Sequence, residues 1–388
     1  MDKELIADPL NNDDLWKQII QLGKQAVSDE VKYILFVQPA KRSIGRDMMK
    51  HLETYYQITT QQITIATVEK AIGTKGAKMV MDNILNKTNE KLGGLNARIK
   101  PEPSIANWFR PDVMYIGLDM SQPGVGSEAP SVVGMSFTKN NLLEVAGRIW
   151  FQEASEHLIK DMRAYVTDAI EQFYKTSKVY PSTIIVYRGG ASDGHFEEVK
   201  TKEIAQFQEV LDQVKIKSKR RPSLKYIIVQ RNSGYRLMPE KPHDFPGNQA
   251  MRDNVLPGTC VDSGIVNETK KEFVLVPHQC IQGTAKPSKY VLLHDEPVEI
   301  STDHLQKVTH TLCFMHGIVS SPVNCPSILY QAGDLAKRGS ANYKTWMSRR
   351  DARRNRGIPP AEDQQARAEF FDELCTRMNV VMDHKFWA

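Results

Sequence analysis

Hydrophobic and polar positions along this chain follow two periods. Apolar residues recurring every three or four places mark amphipathic helices, and short β-branched runs bounded by Gly, Pro or Asn mark strands. Helical spacing at 15–27 is followed by the strand-like YILFVQP (33–39), stopped by Pro39. SIGRDMMKHLETYY (43–56) has helical spacing again, and QQITIATV (61–68) reads as a second strand. In GAKMVMDNILNKTNEKLGG (76–94), Met79, Ile84, Leu85 and Leu92 fall near a 3.6-residue repeat and Gly93 and Gly94 stop it, predicting a helix. This alternation predicts a small α/β domain with a parallel sheet. The Pro-rich IKPEPSIANWFRPD (99–112) marks a boundary or linker.

Beyond the boundary, VMYIGLDM (113–120), VVGMSFT (132–138) and EVAGRIWFQ (144–152) read as successive strands, and 155–177 as one long amphipathic helix. The strand TIIVYRG at 183–189 precedes a helical run at 195–214. KYIIVQR, EFVLVPH and KYVLLHD are further strands, and 303–318 and 327–346 further helices. Strands first, then alternation with helices, predict an α/β fold with a mixed sheet rather than a doubly wound one.

Composition adds little beyond an ordinary globular class: 41% hydrophobic, 25% charged, 51 Lys+Arg against 46 Asp+Glu, net charge +5. That excess alone does not identify a nucleic-acid partner, so the placement of charge must decide. KIKSKRR (215–221) and SRRDARRNRG (348–357) are basic runs that solvated loops would equally explain. No apolar run approaches a membrane span and no secretory h-region opens the chain. Five widely spaced cysteines without CxxC fit a reducing compartment, cytoplasmic or nuclear, with neither zinc site nor disulfide framework.

One strand end raises a chemical question. Ile184, Ile185 and Val186 run into Arg188, Gly189 and Gly190, a place where a sheet commonly holds catalytic groups, yet the first acid is Asp193.

Several ordered stretches resemble the carboxyl half of the Argonaute/Piwi family: EKLGGLN (90–96), MYIGLDMSQP (114–123), IIVYRGGASDGHF (184–196), KYIIVQRNSGYRL (225–237), PGTCVDSGI (257–265), HQCIQGTAKPSKYVLLHD (278–295), LAKRG (335–339) and FWA (386–388). The resemblance runs from about position 30 to the last residue, and its pattern is similar to the nematode branch with a degenerate slicer site. It implies a Rossmann-like MID domain over residues 1–100, short at its start, and an RNase H-like PIWI domain over 101–388. N-terminal and PAZ domains have no room here. The chain would then be a fragment, a truncated isoform or a partial product, complete at its carboxyl end.

The family MID domain grips the 5′ end of a small guide RNA. A 5′-phosphate needs several converging cations, because its charge approaches −2 and must be desolvated. Lys87 and Lys91 stand at i, i+4 on one helix face, Lys50 matches another family lysine, and Arg338 in LAKRG matches an arginine reaching in from PIWI. Taken without that context, the Lys87–Lys91 pair reads better as solvated helix residues. Arg46 stands where the family has a stacking tyrosine, and Val68 where it has a glutamine. The extra cation at Arg46 leads us to expect a preference for triphosphorylated guides.

RNase H-like slicing uses two divalent metals about 4 Å apart, held by several carboxylates. Of the family's four ligand positions, Asp119 is present, while the others fall on Gly189, Gly333 and His157. Glu156, Asp193 and Asp334 are each offset by at least one residue, and one residue turns a helical side chain by about 100°. Slicing is therefore not expected, with no cofactor, and Mg2+ only if residual cleavage exists. Asp119 reads as a structural remnant.

Gln282, Thr284 and Lys286, with Ser288 and Tyr290, resemble the family loop near the guide backbone; Arg231 and Arg236 are expected beside it, and Tyr290 in the core. His278 and His294 read as hydrogen-bonded structural histidines, and Trp346 and Trp387 as packing residues. The implied partners are a small guide RNA, its complementary target and silencing cofactors docking on PIWI, with no membrane. Two other readings stand beside guide binding without cleavage: a residual nuclease using the offset acids, and a scaffold only.

Overall fold

The computed structural model describes residues 12–39, 44–73, 76–140, 144–354, 359, 363–379 and 384–388. The first unit runs α1 (Asn12–Ser28), β1 (Tyr33–Gln38), α2 (Ile44–Tyr56), β2 (Thr59–Thr64), α3 (Ile65–Ile72) and α4 (Ala77–Lys91). β1 and β2 pair in parallel from Tyr33–Thr59 to Gln38–Thr64, with α2 as the crossover such pairing requires. A small core of Ile19, Met48 and Leu52 holds α1 and α2 to this pair.

Two sequence expectations change here. QQITIATV is not one strand: the Thr64 hydroxyl accepts the Thr67 N–H at 3.2 Å and caps α3, so the chain turns helical midway. In α4, Met79, Leu85 and Leu92 are exposed, while Glu90 and Lys91 are buried. Charge pairing rather than apolar burial turns this helix: Glu90 meets Lys385 at 3.3 Å, and Lys91 donates to the Phe386 carbonyl.

The second unit begins with β3 (Val113–Ser121), β4 (Ser131–Thr138), β5 (Val145–Gln152), α5 (Met162–Ser177), β6 (Thr183–Gly189), α6 (Phe196–Glu198) and α7 (Ala205–Ser218). It continues with β7 (Ser223–Gln230), α8 (Gln249–Asp253), β8 (Thr259–Val261), β9 (Glu272–Val276), β10 (Ser288–Glu296), α9 (Thr302–Cys313), α10 (Ser327–Arg354) and α11 (Gln364–Asn379). The eight strands form one sheet in the order β5-β4-β3-β6-β7-β10-β9-β8. β3, β6 and β7 run parallel and the other pairings are antiparallel. The sheet is mixed, as the sequence predicts.

α10 lies against β3 and β4 so closely that a Cβ at Gly117 or Gly134 would collide with its backbone. This contact carries Gly333 of α10 to the carboxyl end of β3. The helix expected over 155–177 starts only at Met162. Before it, side chains capture the backbone of two buried residues: Gln152 donates to the Leu158 carbonyl at 2.8 Å, and Glu203 accepts the Ile159 N–H at 2.8 Å. The run at 195–214 likewise divides, with a π-helical turn at Val199–Ile204 between α6 and α7. Of KIKSKRR, positions 215–218 end α7 and 219–221 form the loop that follows, with Lys217 paired to Glu171 at 3.0 Å and Arg221 to Asp212 at 2.7 Å. Of SRRDARRNRG, positions 348–354 belong to α10, and 355–357 lie outside the described residues.

Candidate nucleic-acid interface

The five cations expected at a 5′-phosphate converge. Arg46 and Lys50 of α2, Lys87 and Lys91 of α4, and Arg338 of α10 line one cavity of about 160 Å³, together with Met49, Gln61, Gln62 and Ala388. The i, i+4 spacing puts two cations of each short helix on one face, and α10 supplies the fifth from the other unit. Val68 does not line this cavity; it lies within α3, and the glutamines of the pocket are Gln61 and Gln62 of β2.

Glu53, one turn after Lys50, was not foreseen. It is fully buried, accepts from Arg338 Nη2 at 2.8 Å, Thr60 Oγ1 at 2.5 Å and Lys50 Nζ at 3.3 Å, and so orders two of the cations. Burial alone would raise its pKa, but Arg338, Lys50 and Lys91 outweigh that and hold it below the ordinary carboxylate range. Lys50 is pushed down to about 7, first by burial and then by Arg338. Lys91 is driven well down by burial and Arg338, and Lys87 is lowered by the same two causes. Among the described residues, the buried Nε of Arg338 finds no hydrogen-bond partner. The cavity thus holds like charges at close quarters with donors left over, which favours a multiply charged anion.

At the strand ends, Asp119 of β3, Gly189 of β6 and Gly333 of α10 meet. A Cβ at Gly189 would stand 2.6 Å from Asp119 Oδ1, and one at Gly333 would stand 2.5 Å from Asp119 Oδ2. Asp119, only 8% exposed, accepts a hydrogen bond from Arg231 Nη2. Burial opposes the Arg231 charge, but Asp119 raises its pKa on balance. His157 is exposed; its ring stacks on His195 at 4.8 Å, and its carbonyl accepts from Arg188 at 2.6 Å. The neighbouring acids are paired elsewhere: Glu156 with Lys160 at 2.6 Å, Asp193 with Lys289 at 3.2 Å, Asp334 with Lys337 at 3.3 Å. Among the described residues no three His, Cys, Asp or Glu side chains are grouped to hold a metal. One carboxylate already paired with a guanidinium does not fit two magnesium ions, which need bridging and flanking carboxylates.

Gln282, Thr284 and Lys286 are exposed on a loop anchored at Ala285, whose N–H meets Asn254 at 2.7 Å. Arg236 is exposed but folded onto its own loop, donating to the Ser233 and Tyr235 carbonyls at 3.0 and 2.6 Å. Arg231, expected beside the RNA backbone, is turned inward to Asp119 because two glycines leave the space. Tyr290, Trp346 and Trp387 are buried, and so is Ser288. Among the described residues, one buried ring nitrogen of each of His278 and His294 finds no partner, short of the fully bonded histidines expected; burial lowers the pKa of both.

Comparison with known proteins agrees with this architecture. The Piwi domain family matches residues 33–344. The Nuclear RNAi defective-3 protein of Caenorhabditis elegans is 28% identical over 349 residues, 83% of this chain and 32% of that protein. Protein argonaute 2 of Oryza sativa subsp. japonica is 30% identical over 352 residues, 89% of this chain and 32% of that protein. The chain therefore spans about a third of the length of these curated relatives. Among solved structures, Kluyveromyces polysporus Argonaute with a guide RNA superposes with a TM-score of 0.80 at 18% identity, over 95% of this chain and 41% of that one. The MID-PIWI domains of Neurospora crassa QDE-2 give 0.63 at 17% identity, over 99% and 85%. At such identities the likeness is one of fold. Among the described residues, no helix is long and apolar enough to cross a membrane.

Proposed function

The chain belongs to the Piwi domain family, and from that premise we propose that it holds a small guide RNA by its 5′-phosphate and retains a complementary target RNA without cutting it. In this reading residues 1–100 are a partial MID-like unit and 101–388 the PIWI unit, acting in cytoplasm or nucleus with silencing cofactors docked on PIWI. The observation that carries it is the convergence of Arg46, Lys50, Lys87, Lys91 and Arg338 on one small cavity. The loss of cleavage rests on Asp119 standing between Gly189 and Gly333.

Two RNAs of one sequence, 5′-phosphorylated and 5′-hydroxyl, test the pocket in a filter-binding assay. Charge-assisted hydrogen bonds contribute about 1.5–3 kcal/mol each, so the phosphorylated guide should bind about tenfold tighter or more. Equal affinities would overturn the reading. A triphosphorylated guide in the same assay tests Arg46, and a matched target incubated with Mg2+ or Mn2+ should stay intact.

The preference should also depend on pH. The second ionisation of a phosphate lies near about pH 6, so affinity rises as the dianion forms. Lys50, at about 7 in the free pocket, gains a counter-ion on binding and its pKa rises; binding takes up a proton. Affinity should therefore fall as pH climbs through 7, by up to about tenfold per unit for one proton. A flat profile from pH 7 to 8.5 would exclude the coupling.

A further inference from the structure

We infer that Arg231 has taken over the place and the charge of a divalent cation at the strand ends, turning that site into a metal-independent clamp for an RNA backbone phosphate. This rests on the proposed loss of cleavage and is independent of the 5′-phosphate pocket. The argument begins with volume. Gly189 and Gly333 carry no side chain, and a Cβ at either would press on an Asp119 carboxylate oxygen; the Gly333 Cβ would also stand 3.3 Å from Arg231 Nη1. The two glycines therefore leave the space in which the Asp119–Arg231 pair forms. Arg231 follows β7 directly, so the sheet aims it.

Charge completes the argument. Asp119 alone would be a nearly buried carboxylate, costly without a counter-charge. Arg231 neutralises it. A guanidinium has five N–H groups in a planar fork, and its hydrogen bond to Asp119 uses one amino group. The Arg231 side chain remains 29% exposed and lines a cavity of about 450 Å³ with Gly190, Ser192, Gln230, Asn232 and Ser233. This concavity is polar, open and backed by a guanidinium whose N–H groups exceed what Asp119 uses, which suits a phosphodiester oxygen and offers a metal ion no second carboxylate.

The proposal predicts that target retention by the guide-loaded chain is unchanged when Mg2+ is replaced by EDTA at constant ionic strength. Arg231→Gln should weaken retention about tenfold while leaving 5′-phosphate discrimination intact, and Arg231→Lys should recover much of it. Mn2+ titration followed by electron paramagnetic resonance gives a second readout. Gly189→Asp with Gly333→Asp should bind no stoichiometric Mn2+ while Arg231 remains, and should bind it once Arg231→Gln is added. A Mg2+ requirement for retention in the parent chain would overturn the inference without any variant having to fold. So would retention unaffected by Arg231→Gln, or equal Mn2+ binding with and without Arg231. Loss of 5′-phosphate discrimination in the parent chain would instead bring down the guide-binding reading.

Discussion

A Glu203→Ala variant should lose about 3–5 kcal/mol of stability, the largest effect expected of any single substitution in the sheet unit, because it strands a buried cation. Arg188 is 1% exposed and Glu203 fully buried, with Arg188 Nη2 at 3.0 Å and Nε at 3.3 Å from the carboxylate. The carboxylate also accepts from the Tyr226 hydroxyl at 2.7 Å and the Ile159 N–H at 2.8 Å. Arg188 in turn donates to the carbonyls of Gly189 at 2.8 Å, Gly190 and His157 at 2.6 Å. Removing Glu203 thus leaves a guanidinium, a phenol and an amide without their acceptor. It also loosens both the turn after β6 and the irregular segment before α5.

Urea denaturation should show this as a lowered midpoint with little change in slope. The companion double variant Arg188→Met with Glu203→Leu should recover only the part of the loss that comes from the uncompensated charge, since the Tyr226 hydroxyl, the Ile159 N–H and three carbonyls still lose their partners. A Glu203→Ala midpoint close to that of the parent would show that water reaches Arg188 and that the pair is not buried in solution.

The same network explains what the sequence could and could not reveal. β3, β6 and β7 lie within the sheet and are buried along most of their length, so Val113–Leu118, Ile184–Val186 and Tyr226–Val229 appear as nearly unbroken apolar runs. Their periodicity is a local property and can be read locally. The segment 155–161 has helical spacing, but its backbone is claimed by Gln152 and Glu203, one of them far along the chain. Local pattern carries no information about such a competitor. The break between β2 and α3 is different: Thr64 is a local N-cap residue, but a threonine inside a β-branched run reads equally as strand.

The candidate site divides in the same way. Helical i, i+4 spacing made Lys87 and Lys91 visible as a pair, and the LAKRG match brought in Arg338. Glu53 was hidden because its value depends on Arg338, a residue of the other unit. The pairing of Arg231 with Asp119 was hidden because it needs the absence of two side chains that meet only in the folded sheet.

Arg338→Ala should abolish most of the preference for a 5′-phosphorylated guide, lowering affinity for it by about 10- to 100-fold with little effect on the 5′-hydroxyl RNA. Two opposing consequences set the size. The variant loses a guanidinium whose Nη2 is held 2.8 Å from Glu53 and whose Nε finds no partner among the described residues, so the planar fork that suits phosphate goes with it. Arg338 is also the second cause, after burial, of the lowered pKa of Lys50 and of Lys91. Its removal lets both lysines hold their protons to higher pH, with Glu53 now shared mainly between them. Part of the lost attraction is thereby restored, most of all in alkaline buffer. The ratio of parent to variant affinity should therefore be greatest near pH 6.5, where Lys50 is protonated in both proteins, and should shrink toward pH 8. A simple loss of folding would remove binding of both RNAs at every pH. An undiminished phosphate preference in a folded Arg338→Ala chain would mean that the cavity between α2, α4 and α10 is not where the guide is held.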